Sequence, residues 1–328
     1  MRAVVCRALG GLENLVVEDG LPSLVPGPGQ VRIAVHAAGI NFADSLMVSG
    51  KYQEKKEPPF TPGMEVAGTV AELGTGVTGL AVGDRVMAVL DGGGFADEAL
   101  AAAEDVHPMP AGMDFVTAAA FPVAYGTSHL ALTWRAGLKA GEVLLVHGAA
   151  GGVGLTAVEV GHALGATVIA TAGGAEKLEV ARAHGAAHGI DYKTEDVRTR
   201  VKELTGGRGA DVVYDPVGGP VFDASLRCTA PNARLLTIGF ASGTVPQIPA
   251  NLLLVKNLTV IGFYWGAYRK LDPAAIRASF AELGRWFEQG RLRPHVSHTH
   301  DLAEAPAAVG RLLDRAATGK VVLTTGRS

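Results

Sequence analysis

Four glycines crowd into one eight-residue stretch, HGAAGGVG, which runs from His147 to Gly154. Gly148, Gly151 and Gly154 recur at every third position, and Gly152 lies between them. Because glycine has no Cβ, it lets another group approach the main chain closely. If a helix starts here, its unpaired N–H groups and the positive end of its dipole attract a phosphate. The stretch therefore predicts a loop that binds a pyrophosphate.

The sequence around this stretch has the order strand, glycine turn, helix, strand. The apolar run VLLV precedes the glycines, LTAVEVGHALG after them has the apolar spacing of a helix, and TVIATAG reads as a second strand. That order is the context in which a glycine-rich turn binds a dinucleotide. A tight turn in an ordinary α/β domain is the alternative. We expect Gly151, Gly152, Val153 and Gly154 to hold the pyrophosphate.

The end of the second strand lacks the acid that an NAD site carries. In NAD-preferring proteins an Asp or Glu about 20 residues onward binds the ribose 2′-hydroxyl, but here residues 171–174 read TAGG. A carboxylate would repel a 2′-phosphate, whereas a glycine opening beside a cation would admit one. The sequence therefore predicts NADPH as the cofactor, with Gly173, Lys177 and Tyr192 at the 2′-phosphate. For Lys177 the alternative is a solvated residue in the first turn of a helix.

The first part of the chain, up to about residue 120, consists of short β-branched runs divided by glycine and proline. Three of these runs read as strands: VRIAVHAAGI from Val31, MEVAGTVAEL from Met64 and DRVMAVL from Asp84. No long helical pattern separates them. They predict an antiparallel, β-rich domain.

From Val143 to about Gly262 strands alternate with helical segments, which is the sequence form of βαβ units and a parallel sheet. The later helices and the last strand, KVVLTT, do not continue this alternation, so we assign them to the first domain. The predicted fold is α/β, with a doubly wound parallel sheet domain over residues 123–264. A β-rich domain comprises residues 1–122 and 265–328, and a cleft separates the two.

The composition indicates a soluble protein of about two domains. Its 328 residues carry a net charge of −3, which provides no strong field to attract DNA or RNA. Cys6 and Cys228 are far apart in the sequence, which fits a reducing compartment. The chain lacks the continuous apolar segment of a secretion signal and the roughly 18 apolar residues of a membrane span. We therefore expect a cytoplasmic protein without nucleic-acid or membrane partners.

Six segments spread over almost the whole chain resemble one known family in the same order. They are AGINFADSLMVSGKY, PFTPGMEVAGTVAELG, GDRVMA, FPVAYGTSHLAL, HGAAGGVGLTAVEVGHALGA and ATGKVVL. On these segments the chain resembles the zinc-independent quinone oxidoreductases, the zeta-crystallin-like branch of the medium-chain dehydrogenase/reductase superfamily. The resemblance implies a Rossmann-type cofactor domain and a GroES-like catalytic domain. It also implies a homodimer, in which the apolar strand of KNLTVIGFYWG is covered by a second copy.

Two positions separate this sequence from the metal-dependent relatives of that family. Asn41 stands where those proteins have a cysteine, and Met64 replaces the histidine of their G-H-E stretch. Amide and thioether side chains do not form an ordinary zinc site. The segment HVSHTHD, residues 295–301, is the remaining metal candidate, and we interpret it as a solvated polar turn. The sequence therefore predicts no metal.

Without a metal, the protein must hold an electron acceptor against the nicotinamide and stabilise the charge that develops on the acceptor's carbonyl oxygen. Asn41 and Tyr52 are the candidate hydrogen-bond donors, and the resemblance implies that both line the cleft beside the nicotinamide. A turn-forming asparagine and a half-buried surface tyrosine are the alternatives. Asp44 is expected to order the surrounding loop through hydrogen bonds.

The resemblance also places further residues beside the dinucleotide. They are Thr127, Ile238, Gly239, Phe240, Gly262, Phe263 and Tyr264. The apolar members of this set would suit a protein core equally well.

These predictions combine into an NADPH-dependent quinone reductase that works without a metal. Two alternatives stay open. One is reduction of the carbon–carbon double bond of an enone or an enoyl-CoA, for which Lys51, Lys55 and Lys56 would suit the phosphates, although Glu54 and Glu57 dilute their charge. The other is a non-catalytic NADPH-binding protein.

Overall fold

The computed structural model describes residues 1–327, which form two compact units. The first unit comprises Met1–Val123 and the chain from Pro294 onward, and the second comprises Ala124–Arg293. The predicted α/β class, a doubly wound parallel sheet domain plus a β-rich domain, is confirmed. No helix among the described residues is both long and apolar enough to cross a lipid bilayer.

Fifteen strands and eleven α-helices, with five short helical turns, make up the regular structure of the described residues. The strands are β1 (Ala3–Cys6), β2 (Leu15–Glu18), β3 (Gln30–Ile40), β4 (Glu65–Leu73), β5 (Arg85–Val89), β6 (Glu98–Ala102), β7 (Val106–Pro108), β8 (Val143–Val146), β9 (Thr167–Ala172), β10 (His188–Asp191), β11 (Ala210–Asp215), β12 (Thr229–Thr237), β13 (Thr259–Gly262), β14 (Val296–Asp301) and β15 (Lys320–Thr324). The helices are α1 (Phe42–Val48), α2 (Phe115–Ala119), α3 (Pro122–Leu130), α4 (Gly152–Ala163), α5 (Ala175–Ala183), α6 (Val197–Leu204), α7 (Pro220–Cys228), α8 (Ala250–Lys256), α9 (Tyr268–Leu271), α10 (Pro273–Glu288) and α11 (Ala305–Leu313). The short turns are Leu12–Asn14, Ala103–Asp105, Ala131–Arg135, Trp265–Ala267 and Leu302–Glu304.

A mostly antiparallel sheet forms the centre of the first unit, as the β-branched runs predict. Its strands lie in the order β14-β15-β3-β4-β5-β7, and β6 pairs with β3. Along β3, Val31, Ile33 and Val35 are fully buried and alternate with partly exposed residues, which is the pattern of a sheet with one face on the core. The antiparallel pairing of β15 with β3 sets Val321 opposite Ile40. This register brings distant parts of the sequence into contact.

The polar segment 295–301 contains a strand, so the prediction of a solvated turn is wrong. Residues Val296–Asp301 form β14, which pairs parallel with β15 at the edge of the sheet. Polar side chains are common on edge strands because they discourage pairing with another chain, and those of His298 and His300 fit this pattern. The polar composition therefore reflects an edge position in the sheet.

All six strands of the second unit are parallel, in the order β10-β9-β8-β11-β12-β13. This is the doubly wound order, in which ligands bind where the strand sequence reverses, between β8 and β11. The apolar residues Leu144, Leu145, Val212 and Val213 of these two strands are completely buried, as expected at the centre of a parallel sheet. The glycine turn after β8 thus lies at the position where this fold binds dinucleotides.

The segment 265–293 lies in the second unit, whereas the strand–helix alternation predicts that it belongs with the first. The Nδ1 atom of His129 lies 2.9 Å from the hydroxyl oxygen of Ser279, and the Trp286 ring packs edge-on against the same histidine. A Cβ on Gly126 would lie 2.7 Å from the ring of Trp265. These side-chain contacts fix the segment to the second unit. The alternation of strands and helices in the sequence does not reveal them.

Both ends of the second unit are attached to one buried carboxylate. Glu159, which is 4% exposed, accepts a hydrogen bond from the phenolic O–H of Tyr125, the second residue of the unit. It also accepts the backbone N–H of Arg293, the last residue of the unit, at 3.2 Å. The chain therefore enters and leaves this unit at the same side chain on α4.

Candidate functional site

The glycine stretch forms a tight turn between β8 and α4. Gly148 has a φ of +57°, a left-handed conformation that favours glycine. Gly151 has an extended backbone and caps α4. A Cβ on Gly154 would lie 2.1 Å from the carbonyl oxygen of Gly148, whereas a Cβ on Gly151 would meet that oxygen at 3.4 Å, an ordinary contact. Packing within the protein therefore requires glycine at position 154 and not at position 151.

The first turn of α4 carries backbone N–H groups that precede the helical hydrogen-bond ladder. Leu155 donates to the Gly151 carbonyl at 2.8 Å and so begins the ladder. The N–H groups of Gly152, Val153 and Gly154 come before it, at the positive end of the helix dipole, where they are suited to bind an anion. The structure thus brings the four residues predicted for the pyrophosphate into one turn.

His147, between β8 and the turn, is a buried structural residue. Its Nδ1 lies 2.9 Å from Thr171 Oγ1 in β9, and its Nε2 lies 2.7 Å from Ser225 Oγ in α7. Burial lowers the pKa of the His147 imidazole, so the ring is neutral near pH 7. With both ring nitrogens bonded, His147 connects β8 to β9 and α7 and holds the turn in place.

Tyr192 and Lys193 fold over the glycine that follows β9. A Cβ on Gly173 would lie 2.8 Å from the hydroxyl oxygen of Tyr192 and 2.9 Å from Cε of Lys193. The structure therefore brings Tyr192 to Gly173, and it adds Lys193, a cation that the sequence patterns do not single out. The position of Lys193 directly after Tyr192 is the signal that could have revealed it. Lys177 lies in the first turn of α5 and is half-buried.

A carboxylate does lie near this opening, at the end of β10 instead of β9. The Oδ1 atom of Asp191 accepts the backbone N–H groups of Gly174 at 3.1 Å and of Lys193 at 3.0 Å. These two bonds fold the segment after β10 toward the end of β9. One oxygen of the carboxylate is thereby used to shape the loop that carries Tyr192.

The other residues predicted beside the dinucleotide lie in α3 or at the carboxyl ends of β12 and β13. They are Thr127 in α3, Ile238, Gly239 and Phe240 after β12, and Gly262, Phe263 and Tyr264 at and after β13. The carboxyl ends of parallel strands share one edge of the sheet with the glycine turn. Phe240 and Tyr264 are exposed, which favours a surface role, whereas Thr127 and Phe263 are buried. Their contact with a cofactor stays a prediction.

A group of buried polar side chains lies at the start of α1 in the first unit. Asn41 is the N-cap of α1, and its backbone N–H donates to Asp44 Oδ2 at 2.7 Å. Asp44 Oδ1 accepts the backbone N–H of Gly63 at 3.1 Å. Asp44 therefore ties the start of α1 to the segment before β4, which agrees with the loop-ordering role expected for it.

Two charged residues complete this group, which we call the α1 cluster: Asn41, Asp44, Glu65 and Lys320. Glu65 begins β4 and is fully buried, and Lys320 begins β15 and is 5% exposed. Lys320 Nζ donates to Asn41 Oδ1 and Glu65 Oε1, each at 2.7 Å. Asn41 Nδ2 donates to Glu65 Oε1 at 2.8 Å, and Glu65 Oε2 accepts the Val123 N–H at 2.8 Å. A charge at the first position of an apolar strand is the one signal that the sequence offers for Glu65 and Lys320.

Tyr52 lies beyond the other end of α1. It is 7% exposed, and its backbone N–H donates to the Leu46 carbonyl at 3.0 Å. The tyrosine is therefore buried, unlike the half-buried surface residue of the alternative interpretation. Asn41 and Tyr52 are held near opposite ends of α1 by separate backbone hydrogen bonds. Their joint contact with an electron acceptor stays a prediction.

The buried carboxyl group of Asp44 makes the stability of the protein depend on pH. Burial raises the pKa of Asp44 to about 7, and the nearby Glu65 carboxylate acts in the same direction, against Lys320 and two backbone N–H groups. The folded protein then keeps a proton that the unfolded chain loses near pH 4, so the unfolding free energy falls as the pH rises from about 4 to about 7. We expect the contribution of Asp44 to the unfolding free energy to be about 2 kcal/mol smaller at pH 8 than at pH 5.

Urea unfolding of the wild type and of Asp44→Asn at the two pH values measures this contribution. The unfolding free energy of the wild type minus that of the variant should be about 2 kcal/mol smaller at pH 8 than at pH 5. The exposed Asp314→Asn variant controls for the loss of a carboxylate as such. An equal difference at both pH values would contradict the raised pKa.

Two protein families match separate parts of the chain. The family described as alcohol dehydrogenase GroES-like domain matches residues 27–111. The family described as zinc-binding dehydrogenase matches residues 152–284. The first match lies in the first unit and the second match lies in the second unit.

Among the known proteins that match this chain, three are matched along nearly its full length as follows. The quinone oxidoreductase-like protein 2 homolog of Nematostella vectensis is 45% identical over 327 residues, which cover 99% of this chain and 89% of that protein. The structure of Escherichia coli quinone oxidoreductase complexed with NADPH is 31% identical, has a TM-score of 0.93 and is matched over 99% of this chain and 100% of that chain. A 2-haloacrylate reductase structure is 34% identical, has a TM-score of 0.87 and is matched over 100% of both chains.

The donor atoms of the α1 cluster do not fit the zinc ion that the name of the second family implies. Protein zinc sites are built from Cys, His, Asp and Glu side chains, and within residues 1–327 no group of three or more of these could hold a metal. Asn41 Oδ1 and Glu65 Oε1 both accept hydrogen bonds from Lys320 Nζ. The positive charge of the Lys320 ammonium group thus already compensates the negative charge of the buried Glu65 carboxylate.

The matches to known proteins extend over both units, so they concern the whole architecture and not one domain. The E. coli enzyme is covered completely at 31% identity, and the Nematostella protein is covered over 89% of its length at 45% identity. The chain belongs to the quinone oxidoreductase family of the medium-chain dehydrogenase/reductase superfamily.

Proposed function

We propose that this protein is an NADPH-dependent quinone reductase that transfers hydride without a metal ion. The glycine turn at the start of α4 is the observation that carries this proposal, because it combines three anion-suited N–H groups with the reversal point of a doubly wound sheet. The NADPH complex of the E. coli relative supports the same cofactor for this chain. Bound NADPH supplies the hydride.

We assign the phosphates of the cofactor to two places in the second unit. Residues 151–154 bind the pyrophosphate through backbone N–H groups. Lys177, Tyr192 and Lys193 bind the 2′-phosphate beside Gly173, where two positive charges offset the nearby Asp191 carboxylate. The residues at the ends of β12 and β13, together with Thr127, flank the rest of the dinucleotide.

We assign the electron acceptor to Asn41 and Tyr52 in the first unit. Negative charge develops on a quinone oxygen as it receives hydride, and preorganised donors stabilise that charge. Asn41 Nδ2 and the Tyr52 O–H are such donors, and both residues are more than nine-tenths buried, where a hydrogen bond to a developing charge is strong. A quinone is electrophilic enough to accept hydride with these donors alone.

A turnover assay tests the proposal. NADPH oxidation would be followed with 1,4-benzoquinone, 1,2-naphthoquinone, a simple enone, 2-chloroacrylate and crotonyl-CoA, each with and without a zinc chelator. We expect the quinones to give the highest kcat/KM and the chelator to have no effect. Tight NADPH binding without turnover of any compound would indicate a non-catalytic binding protein, and a requirement for zinc would contradict the metal-free mechanism.

Reduction of an activated carbon–carbon double bond is the second candidate function. The 2-haloacrylate reductase relative favours it, because 2-haloacrylate has a double bond conjugated to a carboxylate. The same two donors would then stabilise charge on the conjugated oxygen. In the assay above, turnover confined to the enone, the haloacrylate or the thioester would replace the quinone assignment.

The two lysines near Gly173 are expected to determine the preference for NADPH over NADH. Lys177→Ala and Lys193→Ala should each raise the KM for NADPH roughly 10-fold and leave that for NADH unchanged, because each removes one charge-assisted bond to a phosphate. Lys139→Ala, in the exposed segment before β8, is the matched control. A variant that keeps the wild-type preference would remove that lysine from the phosphate site.

We also propose a homodimer in which a second copy covers β13. This strand is at the edge of the parallel sheet, and Leu254 and Val255 on the preceding α8 are each 78% exposed. An uncovered apolar edge promotes aggregation. Sedimentation velocity should give twice the chain mass of 33.7 kDa, and a monomer at micromolar concentration would contradict the proposal.

A further inference from the structure

Lys320 is a buried ammonium group whose hydrogen-bond donors are all used inside the first unit. Its Nζ carries three N–H groups. It donates to the Ile40 carbonyl at 2.8 Å and to Asn41 Oδ1 and Glu65 Oε1 at 2.7 Å. The register of β15 on β3 sets Val321 opposite Ile40, which places Lys320 beside Asn41. Three donors thus meet three fixed acceptors.

The contacts of Asn41 determine which way round its side-chain amide lies. An amide can exchange the places of its oxygen and its NH2 group by a half-turn. An ammonium group only donates, so the Asn41 atom at 2.7 Å from Lys320 Nζ is the oxygen. A carboxylate only accepts, so the Asn41 atom at 2.8 Å from Glu65 is the nitrogen. If the amide were reversed, its NH2 group would face the Lys320 ammonium and its oxygen would face the Glu65 carboxylate. Donor would then meet donor, and acceptor would meet acceptor.

This orientation leaves one hydrogen of Asn41 for a ligand. Nδ2 carries two hydrogens, and Glu65 Oε1 accepts one of them. We propose that Lys320 and Glu65 are a positioning pair that keeps the Asn41 amide turned so that Nδ2 donates its second hydrogen to the carbonyl oxygen of the electron acceptor. The inference rests on the proposed function, since it takes Asn41 as that donor.

The pair does more than neutralise a buried charge. Lys320 and Glu65 would satisfy each other as ions without Asn41, yet each also contacts the amide, one from the oxygen side and one from the nitrogen side. Because the two contacts are of opposite kind, they select one of the two amide orientations. A neutral pair of similar size would fill the space without making this selection.

A double-mutant cycle on turnover tests the inference. Lys320→Met with Glu65→Gln removes the two opposite charges of the pair together, so that neither is left buried without the other. The amide introduced by Glu65→Gln could bond to the Asn41 amide either way round. We expect this replacement to lower kcat for a quinone about 10-fold and to leave the KM for NADPH unchanged. Asn41→Ala should lower kcat for the same quinone roughly 100-fold. In the Asn41→Ala background, the pair replacement should lower kcat less than about threefold, because no Asn41 amide remains to be oriented.

A matched control makes the same chemical change elsewhere. Arg234 and Glu142 form a hydrogen-bonded ion pair in the second unit, with side chains about one-fifth exposed. Arg234→Met with Glu142→Gln should leave kcat unchanged. Urea unfolding of every variant verifies that it is folded before its turnover is compared.

Side-chain NMR gives a second readout that does not depend on turnover. The chain has five asparagines, so 15N-asparagine labelling yields few NH2 signals, and Asn41→Ala identifies the pair that belongs to Asn41. In the wild type, the two Asn41 Nδ2 protons should have well-separated shifts because one donates to a carboxylate. In the variant with Lys320→Met and Glu65→Gln, the separation should decrease.

The outcomes separate the inference from the proposed function. The positioning role is overturned if the pair replacement lowers kcat by the same factor in the wild type and in Asn41→Ala. It is also overturned if the replacement leaves the Asn41 proton shifts unaffected. In both cases the reductase proposal stands. If Asn41→Ala keeps wild-type turnover, the assignment of Asn41 as donor fails, and the positioning role fails with it. Absence of turnover in the wild type with every acceptor would overturn both.

Discussion

Gly151→Ala is expected to raise the Kd for NADPH roughly 10- to 100-fold, because the added methyl group would occupy the approach of the pyrophosphate to the turn. The protein itself accommodates alanine here. The backbone is extended, and the new Cβ would meet the Gly148 carbonyl oxygen at 3.4 Å. Alanine is a poorer helix N-cap than glycine but restricts the unfolded chain, so the unfolding free energy without cofactor should stay within about 1 kcal/mol of the wild type.

Gly154→Ala, three residues further along, makes a matched comparison with the opposite expectation. Its Cβ would lie 2.1 Å from the same carbonyl oxygen, so the turn and the start of α4 must move apart. We expect an unfolding free energy about 1 to 3 kcal/mol below that of the wild type even without cofactor. Urea unfolding of the cofactor-free proteins and fluorescence titration with NADPH measure both quantities. If both variants lost the same unfolding free energy, the claim that packing requires glycine at position 154 but not at position 151 would be refuted.

Glu65→Ala is expected to have the largest effect on stability, a loss of about 3 to 5 kcal/mol in unfolding free energy. The substitution leaves the Lys320 ammonium buried without the carboxylate that it contacts at 2.7 Å. It also removes the acceptors of the Asn41 amide and of the Val123 N–H. The Asn41 amide would stay buried without this acceptor, which adds to the cost.

Glu179→Ala is the control for this variant, because Glu179 pairs with Arg182 on the surface of α5. The Glu179 side chain is 69% exposed, so its removal should change the unfolding free energy by no more than about 0.5 kcal/mol. Urea unfolding at pH 7 compares the two. A loss below about 1 kcal/mol for Glu65→Ala would mean that Lys320 is not held as a buried charge.

The glycine turn could be predicted from the sequence because all its determinants are local. The strand, the turn and the helix follow each other within about 20 residues, and the spacing of Gly148, Gly151 and Gly154 reflects contacts inside that segment. Even so, the spacing of the glycines does not show which of them is required by packing and which by the ligand. The different demands on positions 151 and 154 become visible only when the distance from each missing Cβ to its neighbours is known.

The α1 cluster could not be predicted in the same way because its members are brought together by sheet register. Lys320 contacts Asn41 across 279 positions of sequence, and the antiparallel pairing of β15 with β3 creates that contact. The sequence analysis singles out Asn41 and Asp44, which are close together in the chain, and assigns no role to Glu65 or Lys320. Neither strand propensity nor hydrophobic alternation encodes which charged strand residue finds which partner.

Element type could be predicted better than element grouping. The antiparallel runs and the alternating strands and helices correspond to the sheets of the two units. The grouping of residues 265–293 depends on side-chain contacts such as that of His129 with Ser279, which the sequence rhythm does not show. The strand Val296–Asp301 was obscured because polar side chains are tolerated at a sheet edge.

Because Tyr125 and Arg293 are both bonded to Glu159, the second unit is an insertion with adjacent ends. Units whose ends are close together can be inserted into a host chain, or exchanged between hosts, without altering the path of the host backbone. Residues 124–293 could therefore be exchanged as one module. The residues from the start of α1 to β4, and those of β15, would be inherited unchanged from the host.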